Sequence, residues 1–350
     1  MSGPCSSLGS MVNRSPATST PVHLYFHAPC FDGVASAAIA AEYLSNGGRR
    51  RIELIPIGYE SRGSWLSRSI GPQAAVVDFL FHPEAFFFAD HHATTFLDGP
   101  TERAFEARKS AGAEVFYDPT AASCASLLVR ELRDHFDVGR FQKLAQMADA
   151  VDSASYRTVE EAVFPKTVAG RLRDSLTLDP SKSFLVDLVQ KLRRDSAEEI
   201  ARDPEVSSRS DRYDELQREA LGRFEPTLQW RDRGLVFFDY DASRGSVSRY
   251  APYLFRPEAR YSLGIIRSDA GAKITAMRNP WLDFRSAPLG RIFERYGGGG
   301  HERVGSVQLG PAESKDAHRV AEMIVRDVLA ADRGEASCTA DSTSTISTPT

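Results

Sequence analysis

Three short apolar runs, each followed at once by acidic or histidine residues, constrain the fold of this chain more than any other feature. The runs His23–Phe26, Ala74–Val77 and Phe86–Ala89 have the length and apolarity of buried strands. An Ala-rich, helix-like stretch, Val34–Leu44, follows the first run. Strands that alternate with helices are typical of βαβ units, so we predict an α/β fold with a mainly parallel sheet. The other elements predicted in this half are strands at Arg51–Ile57 and Glu114–Tyr117 and helices at Thr120–Phe136 and Phe141–Ser153.

The residues that follow these runs carry metal-binding side chains. They are His27, Cys30, Asp32, Asp78, Asp90, His91 and His92. The carboxyl ends of parallel strands open at one edge of a sheet, so we expect these side chains to meet there. Carboxylates and imidazoles suit divalent transition metals, and two such ions can activate a water for phosphoester hydrolysis. Taken alone, Asp32 is an ordinary helix-start residue and Asp78 an ordinary strand-end turn residue.

The second half of the chain predicts a smaller α/β domain. Its expected strands are Leu235–Tyr240, Tyr261–Arg267 and Ile274–Arg278, and its expected helices are Arg249–Phe255, Leu289–Tyr296 and Ala317–Ala331. Four glycines, 297–300, precede His301. Glycine backbone N–H groups can approach a phosphate closely, which favours a phosphate-binding loop over a flexible linker.

A length of 350 residues fits about two domains. We predict polar, disordered tails at 1–20 and 334–350, a catalytic domain at 21–180 and a substrate-binding domain at 226–333. The charged stretch 181–225 is expected to be a helical connector, with weaker breaks near Pro204 and Ser207–Ser208. A packed helical layer explains that stretch equally well.

Composition excludes several classes of protein. With a net charge of −4, the chain lacks the overall excess of basic residues that is typical of proteins that bind duplex nucleic acid. No apolar run approaches the ~20 residues of a membrane span. The four cysteines show no CxxC spacing. This pattern favours a reducing, cytoplasmic setting.

In combination, these motifs resemble those of the DHH phosphoesterase superfamily, in the branch that carries a C-terminal DHHA1 domain. The resemblance spans roughly residues 22–333. It depends on the loop His27-Ala-Pro-Cys30-Phe-Asp32-Gly33, on Asp78, on Asp90-His91-His92, on a helical Asp near position 150 and on the Gly-Gly-Gly-Gly-His301 loop.

The resemblance implies a role for each residue of the first domain. His27 would bind one metal, Asp32 and His91 the other, and Asp78 would bridge both ions. His92 would face the scissile phosphate, with Asp90 orienting its neighbours. For the fourth motif the resemblance favours Asp152, with Asp149 as the alternative.

In the second domain, the resemblance implies that the terminal phosphate or nucleotide of the substrate is held by Gly298, Gly299, Gly300 and His301. Arg278, at the end of a predicted strand, would contact a substrate phosphate, since a guanidinium forms two parallel hydrogen bonds to phosphate oxygens. The alternative for Arg278 is a solvated charge at a strand end.

Cys30 departs from the family pattern, which has an aspartate at this point and one more residue after the histidine. A thiolate is a softer ligand than a carboxylate. Cys30 is therefore either a metal ligand or a small buried thiol. The resemblance implies two divalent ions, with Mn²⁺ favoured and the identity dependent on Cys30.

The expected activity is hydrolysis of short single-stranded oligonucleotides or small nucleotides, like that of nano-RNases and 3′-phosphoadenosine 5′-phosphate phosphatases. About 310 ordered residues leave no room for the additional nucleic-acid-binding domains of a processive exonuclease. One alternative is a phosphatase acting on polyphosphate or another small phosphoester. Another is a nucleotide-binding regulatory protein whose metal site is lost at Cys30. We expect no membrane partner, and a homodimer is compatible with the sequence.

Overall fold

The computed structural model describes residues 20–45, 47–153, 156–178 and 180–334. The predicted tails therefore lie outside the described residues, apart from Thr20 and Gly334. The chain divides into two compact units. The first comprises Met1–Ala148 and Pro180–Asp195, and the second comprises Asp149–Asp179 and Ser196–Thr350.

The first part of the chain alternates strands and helices. Its elements are β1 (Val22–His27), α1 (Phe31–Ser45), β2 (Ile52–Ile57), β3 (Ala74–Val77), β4 (Phe87–Asp90), α2 (Gly99–Ser110), β5 (Val115–Tyr117), α3 (Cys124–Leu132) and α4 (Gln142–Asp152). Helix α3 begins four residues later than predicted, because Ser123 accepts a hydrogen bond from the backbone N–H of Ser126 and caps the helix there. Helix α2 was not predicted; its charged surface shows weak apolar periodicity.

The elements that follow are α5 (Val159–Val163), α6 (Val168–Thr177), α7 (Lys182–Leu192), α8 (Ala197–Ile200) and α9 (Pro204–Phe224). The predicted break near Pro204 is present, since α9 begins at that residue with Asp203 as its cap. The predicted break at Ser207–Ser208 is wrong, because both serines lie inside α9, where the helix buries one apolar face. None of the helices in the described part of the chain combines the length and apolarity needed to cross a bilayer.

The remaining elements are β6 (Gln229–Arg231), β7 (Leu235–Asp241), α10 (Ala251–Phe255), β8 (Tyr261–Ser268), β9 (Gly271–Arg278), α11 (Leu289–Glu294), β10 (Gly299–His301), β11 (Val304–Leu309) and α12 (Ala317–Arg333).

The first unit contains a five-stranded sheet in the order β2-β1-β3-β4-β5, with every neighbouring pair parallel. The α/β prediction is confirmed. Almost all of α1 is buried, because its alanines let it pack closely. An aromatic cluster that includes Trp65, Phe81, Phe88 and Phe105 fills the core beside β3 and β4.

The second unit contains a six-stranded sheet in the order β10-β11-β9-β8-β7-β6, in which only the β7–β8 pair is parallel. Leu263, Ile274, Phe293 and Ile324 belong to the core of this sheet and of the helices packed on it. The second α/β region predicted from the sequence is confirmed. Strands β6 and β10 were missed because each has only three residues, and β11 was also missed.

Candidate metal centre

The ends of three neighbouring strands place candidate ligands in one row. In the parallel register, Phe26 of β1 lies opposite Val77 of β3, and Val77 lies opposite Ala89 of β4. The next residue on each strand is His27, Asp78 or Asp90. The predicted gathering of these side chains at one edge of the sheet is therefore present in the structure.

Asp78 lies at the centre of this group. Its side chain is fully buried, and its backbone has φ = 55°, in the left-handed region that non-glycine residues rarely adopt. The carboxylate lies 3.4 Å from Nδ1 of His27, 3.8 Å from Nε2 of His91 and 3.7 Å from Nδ1 of His92. Three imidazoles thus surround one buried carboxylate.

Asp32 is held in place by the start of another helix. Its carboxylate accepts hydrogen bonds from the backbone N–H groups of Cys124, at 2.7 Å, and Ala125, at 2.9 Å, in the first turn of α3. The hydroxyl of Ser36 donates a third, at 3.2 Å. The positive end of the helix dipole stabilises this buried negative charge. Asp32 is therefore more than a helix-start residue of α1.

His91 is oriented by a backbone contact. Its Nδ1 lies 3.0 Å from the carbonyl oxygen of Ala121, so Nδ1–H donates to that oxygen. Nε2 then points towards the carboxylates of Asp32, at 3.5 Å, and Asp78, at 3.8 Å. A carbonyl on one imidazole nitrogen is the usual way in which proteins orient a metal-binding histidine.

Asp90 organises the residues that follow it. One carboxylate oxygen accepts hydrogen bonds from the backbone N–H of His91 and from Nδ1 of His92, both at 2.8 Å. The other oxygen accepts the hydroxyl proton of Thr95. Asp90 therefore fixes the His92 ring, with Nε2 on the opposite side of the ring from this carboxylate. Thr95 was not found from the sequence.

His27 and Cys30 form the other side of the group. Nδ1 of His27 is buried without a hydrogen-bond partner among the described residues. Burial, followed by the neighbouring His92, lowers the pKa of His27 to about 4, so the imidazole is neutral at neutral pH. Ligand atoms of His27, Cys30 and Asp78 all lie within 4.8 Å of one another.

Gly33 is required by the close packing of this site. A Cβ atom at this position would lie 2.0 Å from the carbonyl oxygen of His27 and 3.1 Å from a carboxylate oxygen of Asp78. No real side chain fits at such distances. The glycine of the Asp32-Gly33 pair therefore allows α1 to start against the end of β1.

Tyr59 is a further residue that sequence reasoning missed. Strand β2 neighbours β1, with Ile57 opposite His27, so the chain leaves β2 beside the site. The Tyr59 ring packs edge-on against His27, with centroids 4.9 Å apart, and lies at a tilt against Phe79, with centroids 5.3 Å apart. Although 38% of Tyr59 is exposed, desolvation by the surrounding protein, followed by the charges of Asp90 and Asp78, raises the pKa of its hydroxyl, which stays protonated at neutral pH. The sheet order, which the sequence does not reveal, was needed to find it.

The donor set fits divalent cations. Two ligands about 2.1 Å from a shared ion lie about 3.0 Å apart in octahedral geometry and about 3.4 Å apart in tetrahedral geometry. The carboxylate–imidazole distances of 3.4–3.8 Å around Asp78 and Asp32 need only small shifts to reach these values. Nitrogen and oxygen donors of this kind suit manganese, iron or zinc.

The proposed substrate residues lie in the second unit. Met277 of β9 pairs with Val304 of β11, and the backbone N–H of Arg278 donates to the carbonyl of Arg303 in the β10–β11 turn. Arg278 is buried, and its guanidinium donates to the carbonyl oxygens of Asn279, Leu282 and Phe284. These contacts give Arg278 a structural role beside its predicted role in binding phosphate.

Gly299 and Gly300 lie in strand β10, whereas Gly297 and Gly298 precede it. A Cβ atom on Gly298 would lie 2.2 Å from the carbonyl oxygen of Ser306, and Gly300 has φ = 145°. Close packing on β11 therefore accounts for these two glycines. Gly299 has space around its Cα, and His301 is exposed.

Asp149 and Asp152 lie in the last turn of α4, three residues apart. Residues with this spacing share one face of a helix, so the helix does not select between them.

Known structures share this fold. No protein-family model and no curated protein matches the chain. The pGpG-specific phosphodiesterase PggH from Vibrio cholerae superposes with a TM-score of 0.59 at 17% identity, over 87% of this chain and 99% of that one. An exopolyphosphatase-related protein from Bacteroides fragilis gives a TM-score of 0.50 at 11% identity, over 89% and 91% of the two chains.

RecJ from Thermus thermophilus, solved with Mn²⁺, gives a TM-score of 0.51 at 16% identity and covers 87% of this chain. This chain spans 52% of that RecJ chain. At these identities the comparisons establish the fold. The fold is shared with PggH and RecJ, in agreement with the fold expected from the motif resemblance.

Proposed function

We propose that the chain is a metal-dependent phosphoesterase that hydrolyses short oligonucleotides or small nucleotides. The observation that carries this proposal is the row of strand ends, where Asp78 lies within 4 Å of nitrogens of His27, His91 and His92. A purely structural ion pair does not need three imidazoles around one fully buried carboxylate.

Two divalent cations would be held by His27, Asp32, Asp78 and His91, with Asp152 as the proposed fourth-motif ligand. When bound, such ions lower the pKa of a water and neutralise negative charge on a phosphate. Mn²⁺ is the proposed physiological metal, on the basis of the nitrogen and oxygen donors and of the RecJ structure with this ion.

His92 is the proposed contact to the scissile phosphate. Nδ1–H of His92 donates a hydrogen bond to a carboxylate oxygen of Asp90, with the nitrogen and oxygen 2.8 Å apart. Nε2 is therefore the ring atom directed away from this carboxylate. Asp90 also keeps a carboxylate beside the ring, which orients it. Asp90 and His92 therefore act together, one holding the proton and the other meeting the substrate.

The size of the substrate is inferred from the structural neighbours and from charge. PggH is described as specific for pGpG, a dinucleotide. The net charge of −4 disfavours long polyanions. Arg278, Gly298, Gly299, Gly300 and His301 are the proposed residues that hold the terminal phosphate or nucleotide.

A substrate panel tests this assignment. Metal-stripped protein with Mn²⁺ added back would be given a 5′-phosphorylated RNA dinucleotide, 3′-phosphoadenosine 5′-phosphate, a 20-nucleotide single strand and inorganic polyphosphate. We expect the dinucleotide or the small nucleotide to give the highest kcat/KM. A higher value on polyphosphate would instead support the exopolyphosphatase-like alternative, and cleavage of none would support a regulatory binding protein.

A further inference from the structure

Cys30 lies just after β1, close to the candidate metal ligands at the end of that strand. It is the one sulfur donor among the candidate ligands named above. Its carbonyl accepts the N–H of Val34, at 3.1 Å, so Cys30 is the residue immediately before α1. This places its side chain at the junction of β1 and α1, beside the row of ligands. The thiol is only partly buried, unlike that of Cys124.

The neighbours of Cys30 are a histidine and an aspartate, residue types that often bind a metal ion together with a cysteine. Its Sγ, a ring nitrogen of His27 and a carboxylate oxygen of Asp78 lie within 4.8 Å of one another. A sulfur about 2.3 Å and a nitrogen about 2.05 Å from one tetrahedral ion are about 3.6 Å apart. Independently, Nδ1 of His27 is a buried nitrogen without a hydrogen-bond partner in the described part of the chain, which points to a ligand between these groups.

We propose that Cys30 is a thiolate ligand and makes the His27–Cys30–Asp78 position selective for a borderline-soft cation such as Zn²⁺, Fe²⁺ or Co²⁺ over Mg²⁺. The inference rests on the proposed metal centre and deepens it by naming what determines the identity of one ion. On binding, the thiol proton passes to solvent and a sulfur lone pair forms the bond to the ion. The second ion would be bound by the carboxylates of Asp78 and Asp32 and by His91. These ligands are harder than a set that contains a thiolate.

A cobalt titration tests this directly, because sulfur-to-cobalt charge transfer absorbs in the near ultraviolet and nitrogen or oxygen ligands give no such band. Metal-stripped full-length protein would be titrated with Co²⁺, and bound cobalt measured by elemental analysis. We expect the wild type to show the band and Cys30→Ser to lose it. Cobalt should still bind to this variant through Asp32, Asp78 and His91.

Two controls match this variant. Cys124→Ser changes the other described cysteine, whose sulfur instead donates to the carbonyl of Ala89. A Cys5→Ser/Cys338→Ser double variant removes the two other cysteine thiols of the chain. Both controls should keep the band. Circular dichroism and the melting temperature establish that each variant is folded.

A second variant tests selectivity. Cys30→Asp supplies the carboxylate that the family pattern has at this point, so the ratio of Zn²⁺ to Mn²⁺ affinity should fall by roughly tenfold. An unchanged ratio, cobalt bound to the wild type without the band, or a band that persists in Cys30→Ser would each overturn the proposal.

The outcomes separate this proposal from the proposed function. A Cys30-dependent band in a protein that cleaves no phosphoester would leave Cys30 as a ligand and remove the assigned activity. Mn²⁺-dependent cleavage without any band would do the reverse.

Discussion

At the scale of single residues, Asp90 and His92 divide the work of contacting phosphate. Asp90→Asn removes the negative charge beside Nδ1 of His92 but keeps the size of the side chain. We expect kcat to fall by roughly 10–100-fold, as for other residues that orient a catalytic group, while KM for Mn²⁺ changes little.

The matched control for this prediction is Thr95→Val, which removes only the hydrogen bond to the other oxygen of Asp90. It should lower kcat by a smaller factor. Steady-state kinetics measures both, and an unchanged kcat in Asp90→Asn would remove Asp90 from the mechanism.

Tyr59 supports His27 through its ring. Edge-on aromatic contacts contribute about 0.5–1.5 kcal/mol, so Tyr59→Ala should release His27 and weaken Mn²⁺ binding by about tenfold. Tyr59→Phe keeps the ring and should retain wild-type metal affinity. Isothermal titration calorimetry distinguishes the two. If Tyr59→Phe also loses affinity, the hydroxyl rather than the ring is the important group.

At the scale of elements, the approach of α1 to β1 depends on Gly33. Gly33→Ala would place a Cβ 2.0 Å from the carbonyl of His27, so the backbone must shift. We expect a loss of about 1–3 kcal/mol of stability together with weakened metal binding.

Gly222→Ala is the control for the same chemical change. Gly222 lies inside α9, and a Cβ atom there would have open space around it, so alanine should stabilise the helix by up to about 1 kcal/mol. Chemical denaturation measures both variants. Equal effects of the two substitutions would contradict the packing argument at Gly33.

Elements were predictable from the sequence wherever hydrophobic pattern determines them. The strands that end at His27, Asp78 and Asp90 were found because each is a short apolar run that stops at a polar residue. Their convergence followed from the geometry of a parallel sheet. The order of the strands did not follow, since any parallel order fits the same pattern.

Contacts between segments distant in sequence were the part that could not be predicted. The first turn of α3 donates to Asp32 across more than 90 residues. Tyr59 reaches His27 only because β2 lies next to β1. The sequence suggested that the glycine run approaches phosphate, whereas close packing against β11 accounts for Gly298 and Gly300.

At the scale of the whole molecule, the buried carboxylates link stability to metal binding. Three aspartates lie in one group and are each at most 1% exposed: Asp32, Asp78 and Asp90. Without metal, their negative charges therefore oppose folding. Asp78→Asn should therefore raise the melting temperature of the metal-free protein, since it removes one of these charges.

In the wild type, Mn²⁺ at 100 times its dissociation constant should add about 2.7 kcal/mol for one site. This gain should be absent or much reduced in Asp78→Asn. Differential scanning fluorimetry with and without Mn²⁺ measures both effects. A metal-free variant less stable than the wild type would mean that Asp78 serves folding rather than metal binding.

The measurement that tests the central claim most directly is hydrolysis of a 5′-labelled RNA dinucleotide by metal-stripped protein as Mn²⁺ is added. The predicted result is no cleavage without metal, conversion to mononucleotides that rises with Mn²⁺ and saturates, and loss of this activity in Asp78→Asn. Cleavage that persists without metal, or that Asp78→Asn retains in full, would contradict this account. The catalytic centre would then not lie at the ends of β1, β3 and β4.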